Sequence, residues 1–183
     1  MDFLEKKLKS DPIYKGGFIT ISRDQIKLPN GNKSYRIVIN HPGAACVLAT
    51  TSDNQVILVK QFRYAVGEAL LEIPAGKLDS KTEEPAKCAM RELAEETPYP
   101  AESVTLLRTF YTAPGFCDEK MVLFRAYGVK KNSQLQPDPD EILQVVLFSP
   151  EEARTAIQQG RIKDAKSLIA LEYWLNEPPT SHA

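Results

Sequence analysis

The chain has 183 residues, 43% of them hydrophobic and 26% charged, with a formal net charge of −1. That size and mix fit one medium globular domain, or a domain with a small appendage, able to bury a sizeable core. They exclude the basic field of a nucleic-acid binder. No window approaches the roughly 18 apolar residues of a membrane span, and the charged stretch Met1 to Ser10 lacks a signal-peptide core. A cytoplasmic protein without nucleic-acid or membrane partners is expected.

Phe18 to Asn40 is the first clear unit. An apolar-rich run begins at Phe18, Pro29-Asn30-Gly31 punctuates it, and Tyr35 to Ile39 follows. Asn-Gly between strand-like runs predicts a hairpin, because both residues tolerate positive φ. His41-Pro42-Gly43 then breaks the chain. Residues 1–42 are therefore set apart as an N-terminal β-rich subdomain, too small to be stable alone. Ala45 to Ala49 and Val56 to Val59 are nearly continuous apolar runs around Ser52-Asp53-Asn54. They predict a second hairpin, of strands covered on both faces. Leu70 to Ile73 is a further short strand, ended by Pro74-Ala75-Gly76.

A helix fits residues 84–97, with Pro85 in its first turn and Pro98 and Pro100 beyond its end. Val104 to Tyr111 and Met121 to Val129 are strands, joined by a loop containing Thr112 to Phe116. A polar loop, Gln134 to Asp140, leads to a strand at Leu143 to Phe148. Ser149-Pro150-Glu151-Glu152 reads as a helix start with a capping box. Asp164 caps a last helix over Ala165 to Asn176, and residues 178–183 are expected to be a disordered tail. This order predicts an α+β sandwich with a mixed sheet. The three cysteines, Cys46, Cys88 and Cys117, form no CxxC pair and read as reduced thiols. His41 and His182 are the only histidines, which leaves little room for a His-based metal site or a Ser-His-Asp triad.

The chemistry concentrates in the helix at 84–97. At about 100° per residue, Glu92, Glu95 and Glu96 share an arc of roughly 100°. Ala86, Ala89, Met90 and Leu93 form an apolar stripe on the other side, so Glu95 and Glu96 are expected on an exposed acidic face. Like charges one turn apart, near the negative end of the helix dipole, break two local rules. A solvated acidic face with Arg91 and Lys87 as partners accounts for this; so does a hard divalent cation bound by carboxylates.

Glu83, seven residues, then Arg91-Glu92-Leu93-Ala94-Glu95-Glu96 resembles the Nudix hydrolase signature. Two departures are visible: six residues rather than five separate Gly76 from Glu83, and Pro98 stands where the family has Gly. The resemblance covers most of the chain and is to bacterial members of the ADP-ribose (ADP-sugar) pyrophosphatase branch. It is carried further by His41-Pro42-Gly43-Ala44, Val59 to Arg63, Glu72 to Leu78, Tyr111 to Phe116 and Asp164-Ala165-Lys166-Ser167. Pro114, 15 residues after Tyr99, also matches that branch.

The resemblance implies an α/β/α Nudix-type sandwich over 43–177 and Mg²⁺-dependent cleavage of ADP-ribose or a related sugar nucleotide to AMP and a sugar phosphate. Mn²⁺ is a possible substitute. Glu92, Glu96 and the Ala75 carbonyl would be metal ligands, and Glu95 a direct or water-mediated one. Glu83 and Arg91 would support them. Arg63 would contact the diphosphate, with Glu72, Glu119 and Pro114 on the substrate side. The general base is left open between Asp140 and Glu141; the same acidic loop equally reads as a solvated one. The N-terminal strands would pair two subunits into a homodimer. Another nucleoside diphosphate substrate, or a non-catalytic nucleotide-binding Nudix protein, remains an alternative.

Overall fold

The computed structural model describes residues 3–80, 82–134 and 142–177. The expected tail at 178–183 lies outside the described residues, as does nearly all of the acidic loop before the last strand.

The N-terminal part is a three-stranded antiparallel sheet, β1 (Lys6–Gly16), β2 (Ile19–Lys27) and β3 (Lys33–Asn40), in that order. The expected hairpin is β2–β3. β1 is an addition that pattern alone misses: its residues are mostly exposed, so it shows no apolar alternation. Pro12 sits at an irregularity in its ladder, a position an edge strand tolerates. At the β2–β3 turn only Gly31 takes a positive φ, of 91°. Asn30 contributes through its side chain, which accepts from the Asn32 N–H at 3.0 Å.

Two sheets make up the rest. One is mixed and four-stranded, in the order β7 (Ala75–Lys77), β4 (Ala44–Leu48), β9 (Lys120–Tyr127), β8 (Ser103–Tyr111), with β4 parallel to β9. The other is antiparallel: β10 (Leu143–Phe148), β5 (Val56–Arg63), β6 (Glu68–Glu72). The second expected hairpin is therefore not formed as a ladder. β4 and β5 pair through the backbone only at the corner, in the Thr50–Val56 bridge and the Ile57 N–H to Ala49 carbonyl bond, and then enter different sheets. Each is apolar on both faces, and separate sheets give each strand cover on two sides.

Alternation along β4 builds two cores. Ala44, Cys46 and Leu48 join Val56 and Leu58 against α2 (Pro150–Gln158) and α3 (Ala165–Leu175). Ala45, Val47 and Ala49 join Ile57 against Cys88, Ala89 and Leu93 of α1 (Pro85–Glu96). Helices thus cover both sides of the sheets, as expected for an α+β sandwich. Among the described residues no helix is long and apolar enough to cross a membrane.

Local chemistry sets the helix ends. Pro85 opens α1. Thr97 closes it: the residue before a proline is pushed out of the helical region, and Thr97 is extended at φ −141°, ψ 154°. Its hydroxyl and N–H both donate to the Leu93 carbonyl, so the turn ends with its acceptor satisfied. In α2 the Ser149–Glu152 capping box is formed in both directions. In α3 the Asp164 carboxylate accepts from the Ser167 N–H at 3.0 Å.

Candidate active site

A cavity of about 480 Å³ opens where β4, β6 and β7 meet the start of α3. Arg63, Glu72, Ala75, Gly76, Glu119 and Lys166 line it, with Phe18 reaching in from the β1–β2 turn. Both signs of charge are present, which suits a ligand with an anionic centre.

Beside the cavity, α1 packs on β7 and places its carboxylates against the Ala75–Gly76 backbone. Glu92 and Glu96 are 8% and 3% exposed. The expectation of an exposed Glu96 is therefore corrected: the buried face of α1 runs from Cys88 through Glu92 and Glu96 to Ala89 and Leu93, taking in two of the three acids. Glu96 accepts from the Ala75 N–H at 3.1 Å. Glu92 occupies the space above Gly76 so closely that a Cβ there would lie 2.0 Å from its carboxylate. A side chain at this point would displace the Glu92 carboxylate from its place against β7, so glycine here keeps Glu92 where it is.

Arg91 ties the other acids together. Its Nη1 donates to Glu92 and Glu95 at 2.8 Å each, and its Nη2 reaches Glu83 at 3.5 Å. Burial, the largest single influence, works against the guanidinium charge. The Glu92 charge and the Glu95 hydrogen bond outweigh it and hold the Arg91 pKa above its ordinary value. The loop before Glu83, one residue longer than the family pattern, still folds Glu83 back, where it accepts from the Asp79 N–H at 2.6 Å. Burial pushes the nearby Cys88 thiol up to about 11, helped by the charges of Glu92 and Glu83, so it is a thiol and not a nucleophile at neutral pH.

The other wall is a chain of ion pairs around two buried groups, Glu72 and Lys166, with Arg63 and Asp164 partly exposed. Arg63 grips Glu72 with both Nε and Nη2, at 2.8 and 2.7 Å. Lys166 donates to the same carboxylate and lies 3.0 Å from Asp164. Ser167 donates to Asp164 and accepts from the Ile73 N–H, at 2.6 and 2.8 Å. Burial alone raises the Glu72 pKa. The Arg63 hydrogen bonds and the Lys166 charge reverse that and leave it below the usual carboxylate value.

Glu119 lies at the third side. It accepts from the Thr112 hydroxyl at 2.5 Å and faces His41 Nε2 at 3.7 Å. The Gly43 N–H donates to His41 Nδ1, which leaves Nε2 as the nitrogen directed at Glu119. Phe18 packs edge-on against the His41 ring at 5.2 Å.

The structure thus brings Arg63, Glu72, Ala75 and Glu119 into one cavity, and Glu83, Arg91, Glu92, Glu95 and Glu96 into one cluster beside it. Pro114 is elsewhere: it lines a second groove of about 430 Å³ with Arg36, Ile37 and Phe116. Asp140 and Glu141 lie outside the described residues. Lys166 and His41 are site residues whose roles the chain does not announce. Each meets its carboxylate across a long stretch of sequence, Glu119 for His41 and Glu72 for Lys166, although both fall in segments that resemble the family.

The donor chemistry fits a hard divalent cation. The Glu92 and Glu96 carboxylates and the Ala75 carbonyl are oxygen donors, and the open space above Gly76 is what admits Glu92. Among the described residues no three His, Cys, Asp or Glu side chains converge as a ready-made metal group.

The NUDIX domain model matches residues 40–171, and the chain belongs to the Nudix family. It is 40% identical over 172 residues to a methanol dehydrogenase activator of Bacillus methanolicus, covering 93% of this chain and 92% of that protein. It is 39% identical over 170 residues to an ADP-ribose pyrophosphatase of Bacillus subtilis (strain 168), covering 92% and 91%. The crystal structure of an ADP compounds hydrolase has the same fold, with a TM-score of 0.79 at 19% identity over 94% of this chain and 93% of that one.

Proposed function

We propose that this chain is a Mg²⁺-dependent pyrophosphohydrolase that cleaves the diphosphate of ADP-ribose and related nucleoside diphosphate sugars. One observation carries the reading: the acidic cluster of α1 and the Arg63-bearing cavity adjoin the same short segment, Glu72 to Gly76. Carboxylates for a cation and an arginine for phosphate are thereby neighbours. The 39% identity to an ADP-ribose pyrophosphatase supports the substrate class.

Glu92, Glu96 and the Ala75 carbonyl would hold the cation, with Glu95 bound directly or through water. Glu83 acts through Arg91, which keeps the acids in register as outer partners do at metal sites. When bound, Mg²⁺ neutralises phosphate charge and lowers the pKa of water; Mn²⁺ is the natural substitute. Arg63 presents a forked cation to the diphosphate oxygens. Glu72 aims Arg63, and Glu119 borders the sugar-phosphate side. Pro114 is assigned to the nucleotide side, and it lines a groove distinct from the Arg63 cavity. Water adds across the P–O–P bridge, giving AMP and ribose 5-phosphate. Its proton passes to a carboxylate, for which Glu95, Asp140 and Glu141 are the candidates.

A homodimer through the sheet of residues 1–42 belongs to the same reading. Leu8, Ile13, Tyr14, Tyr35 and Ile37 are all exposed on that sheet, more apolar side chain than a solvated three-stranded sheet needs. Light scattering at the dimer mass checks this. A cytoplasmic location is also part of the proposal, on the free thiols Cys46, Cys88 and Cys117.

The decisive experiment incubates the purified chain with ADP-ribose, with and without Mg²⁺, and identifies the products. AMP and ribose 5-phosphate appearing only with the metal is the expected result. Faster cleavage of a GDP-sugar or a dinucleoside polyphosphate would move the substrate assignment. Binding of ADP-ribose without turnover would replace the enzyme by a nucleotide-binding protein.

A further inference from the structure

Lys166 breaks two rules at once. Lysine is seldom buried, and a cation in the first turn of a helix opposes the helix dipole. Yet Lys166 is the second residue of α3 and its side chain is only 8% exposed. A buried ion pair is weak evidence of stabilisation, since apolar residues of the same volume often do as well. The geometry around it gives a different reason.

The Glu72 carboxylate is shared. One oxygen takes Arg63 Nε; the other takes Arg63 Nη2 and the Lys166 ammonium. Arg63 therefore spends one edge on Glu72, and Nη1 stays outside the pair on a side chain that lines the cavity. Two cations, Arg63 and Lys166, balance two carboxylates, Glu72 and Asp164. Without Lys166 this wall would carry net negative charge beside the position of an anionic diphosphate. The same turn of α3 also fixes the strand end, through Ser167 and the Ile73 N–H. The contact bridges 94 residues of sequence.

We infer that Lys166 is a positioning residue of the diphosphate wall: it neutralises Glu72 from the α3 side, so that Arg63 is aimed by Glu72 without having its charge cancelled. The inference rests on the reading above that Arg63 contacts the diphosphate.

The test compares Lys166→Met, Lys166→Arg, Arg63→Gln and the Arg63→Gln/Lys166→Met double variant in the full chain with Mg²⁺. Two quantities are read: KM and kcat for ADP-ribose, and Kd for its α,β-methylene analogue, which cannot be cleaved at the bridge. Lys166→Met is expected to raise KM and Kd by roughly 5- to 150-fold, the usual span of coupling between two sites, with kcat within about threefold. Lys166→Arg, which keeps the charge, should restore most of the loss. In the Arg63→Gln background Lys166→Met should add little, since the effect passes through Arg63. If Lys166→Met does not fold, Lys166→Gln is read in the same way.

Unchanged KM and Kd in Lys166→Met while Arg63→Gln raises both would overturn the Lys166 role alone. Full additivity in the double variant would do the same. Unchanged KM and Kd in Arg63→Gln would overturn the diphosphate role of Arg63, and the inference with it.

Discussion

Two charged clusters adjoin the ends of the Glu72–Gly76 segment, and their charge balances differ. On the α1 side, Asp79, Glu83, Glu92 and Glu95 all meet the guanidinium of Arg91, and Glu96 accepts from a backbone N–H. On the α3 side, Arg63 and Lys166 meet Glu72 and Asp164 in equal number. A carboxylate excess that includes the buried Glu92 and Glu96 is a place where a cation lowers the free energy. A balanced cluster needs no added ion, and instead fixes the direction of one of its own cations. The first arrangement suits metal binding and the second suits aiming Arg63, and the two can be broken separately.

The largest effect is expected on the unbalanced side. Glu92→Gln or Glu96→Gln should lower kcat by more than the roughly 10- to 100-fold typical of losing an outer partner of a metal ligand, with circular dichroism unchanged. Gly76→Ala should approach this loss, because its Cβ would meet the Glu92 carboxylate at 2.0 Å. Stability should fall much less than activity, because only the end of the Glu92 side chain has to move. Restored turnover at high Mg²⁺ in Gly76→Ala would show that only metal affinity was lost.

Leu93→Ala separates the helix from its acids. Leu93 is fully buried against β4, so about 2–5 kcal/mol of stability should go. Specific activity of the folded fraction should persist; a denaturant titration alongside an assay reads both.

On the balanced side the expected signature is a pH dependence. The Glu72 pKa is lowered in the folded chain, despite burial, by Arg63 and Lys166. A lowered pKa contributes stability that is present above the unfolded value, about 4.3 for Glu, and is lost as pH falls through the folded value. The stability gap between wild type and Glu72→Gln should therefore be widest at neutral pH and narrow under acid. A gap constant down to pH 3 would show that the ion pair contributes nothing. The smallest effect belongs outside both clusters: Ser149→Ala should cost about 1 kcal/mol by removing the α2 cap, and leave kcat and KM unchanged.

Much of this arrangement is legible in the chain because it is local. Pro85, Pro98, the Ser149–Glu152 box and Asp164 mark the helix boundaries, and Arg91 to Glu96 carries its chemistry within two turns. What is hidden depends on distant partners. β1 has no apolar alternation to read, since β2 gives it a ladder but no buried face. β4 and β5 look like a hairpin, and only cover on both faces separates them into two sheets. Helical geometry alone puts Glu96 on the acidic arc; the Ala75 N–H, 21 residues away, buries it. Lys166 is silent until α3 brings it to Glu72.

The division between the clusters is tested most directly by titrating Mg²⁺ into wild type and Glu96→Gln while following AMP release from ADP-ribose, with Kd for the methylene analogue measured at each metal concentration. The account predicts that Glu96→Gln needs far more Mg²⁺ and turns over slowly, while Arg63→Gln keeps the wild-type Mg²⁺ midpoint and loses substrate affinity. Wild-type Mg²⁺ dependence and turnover in Glu96→Gln would contradict it.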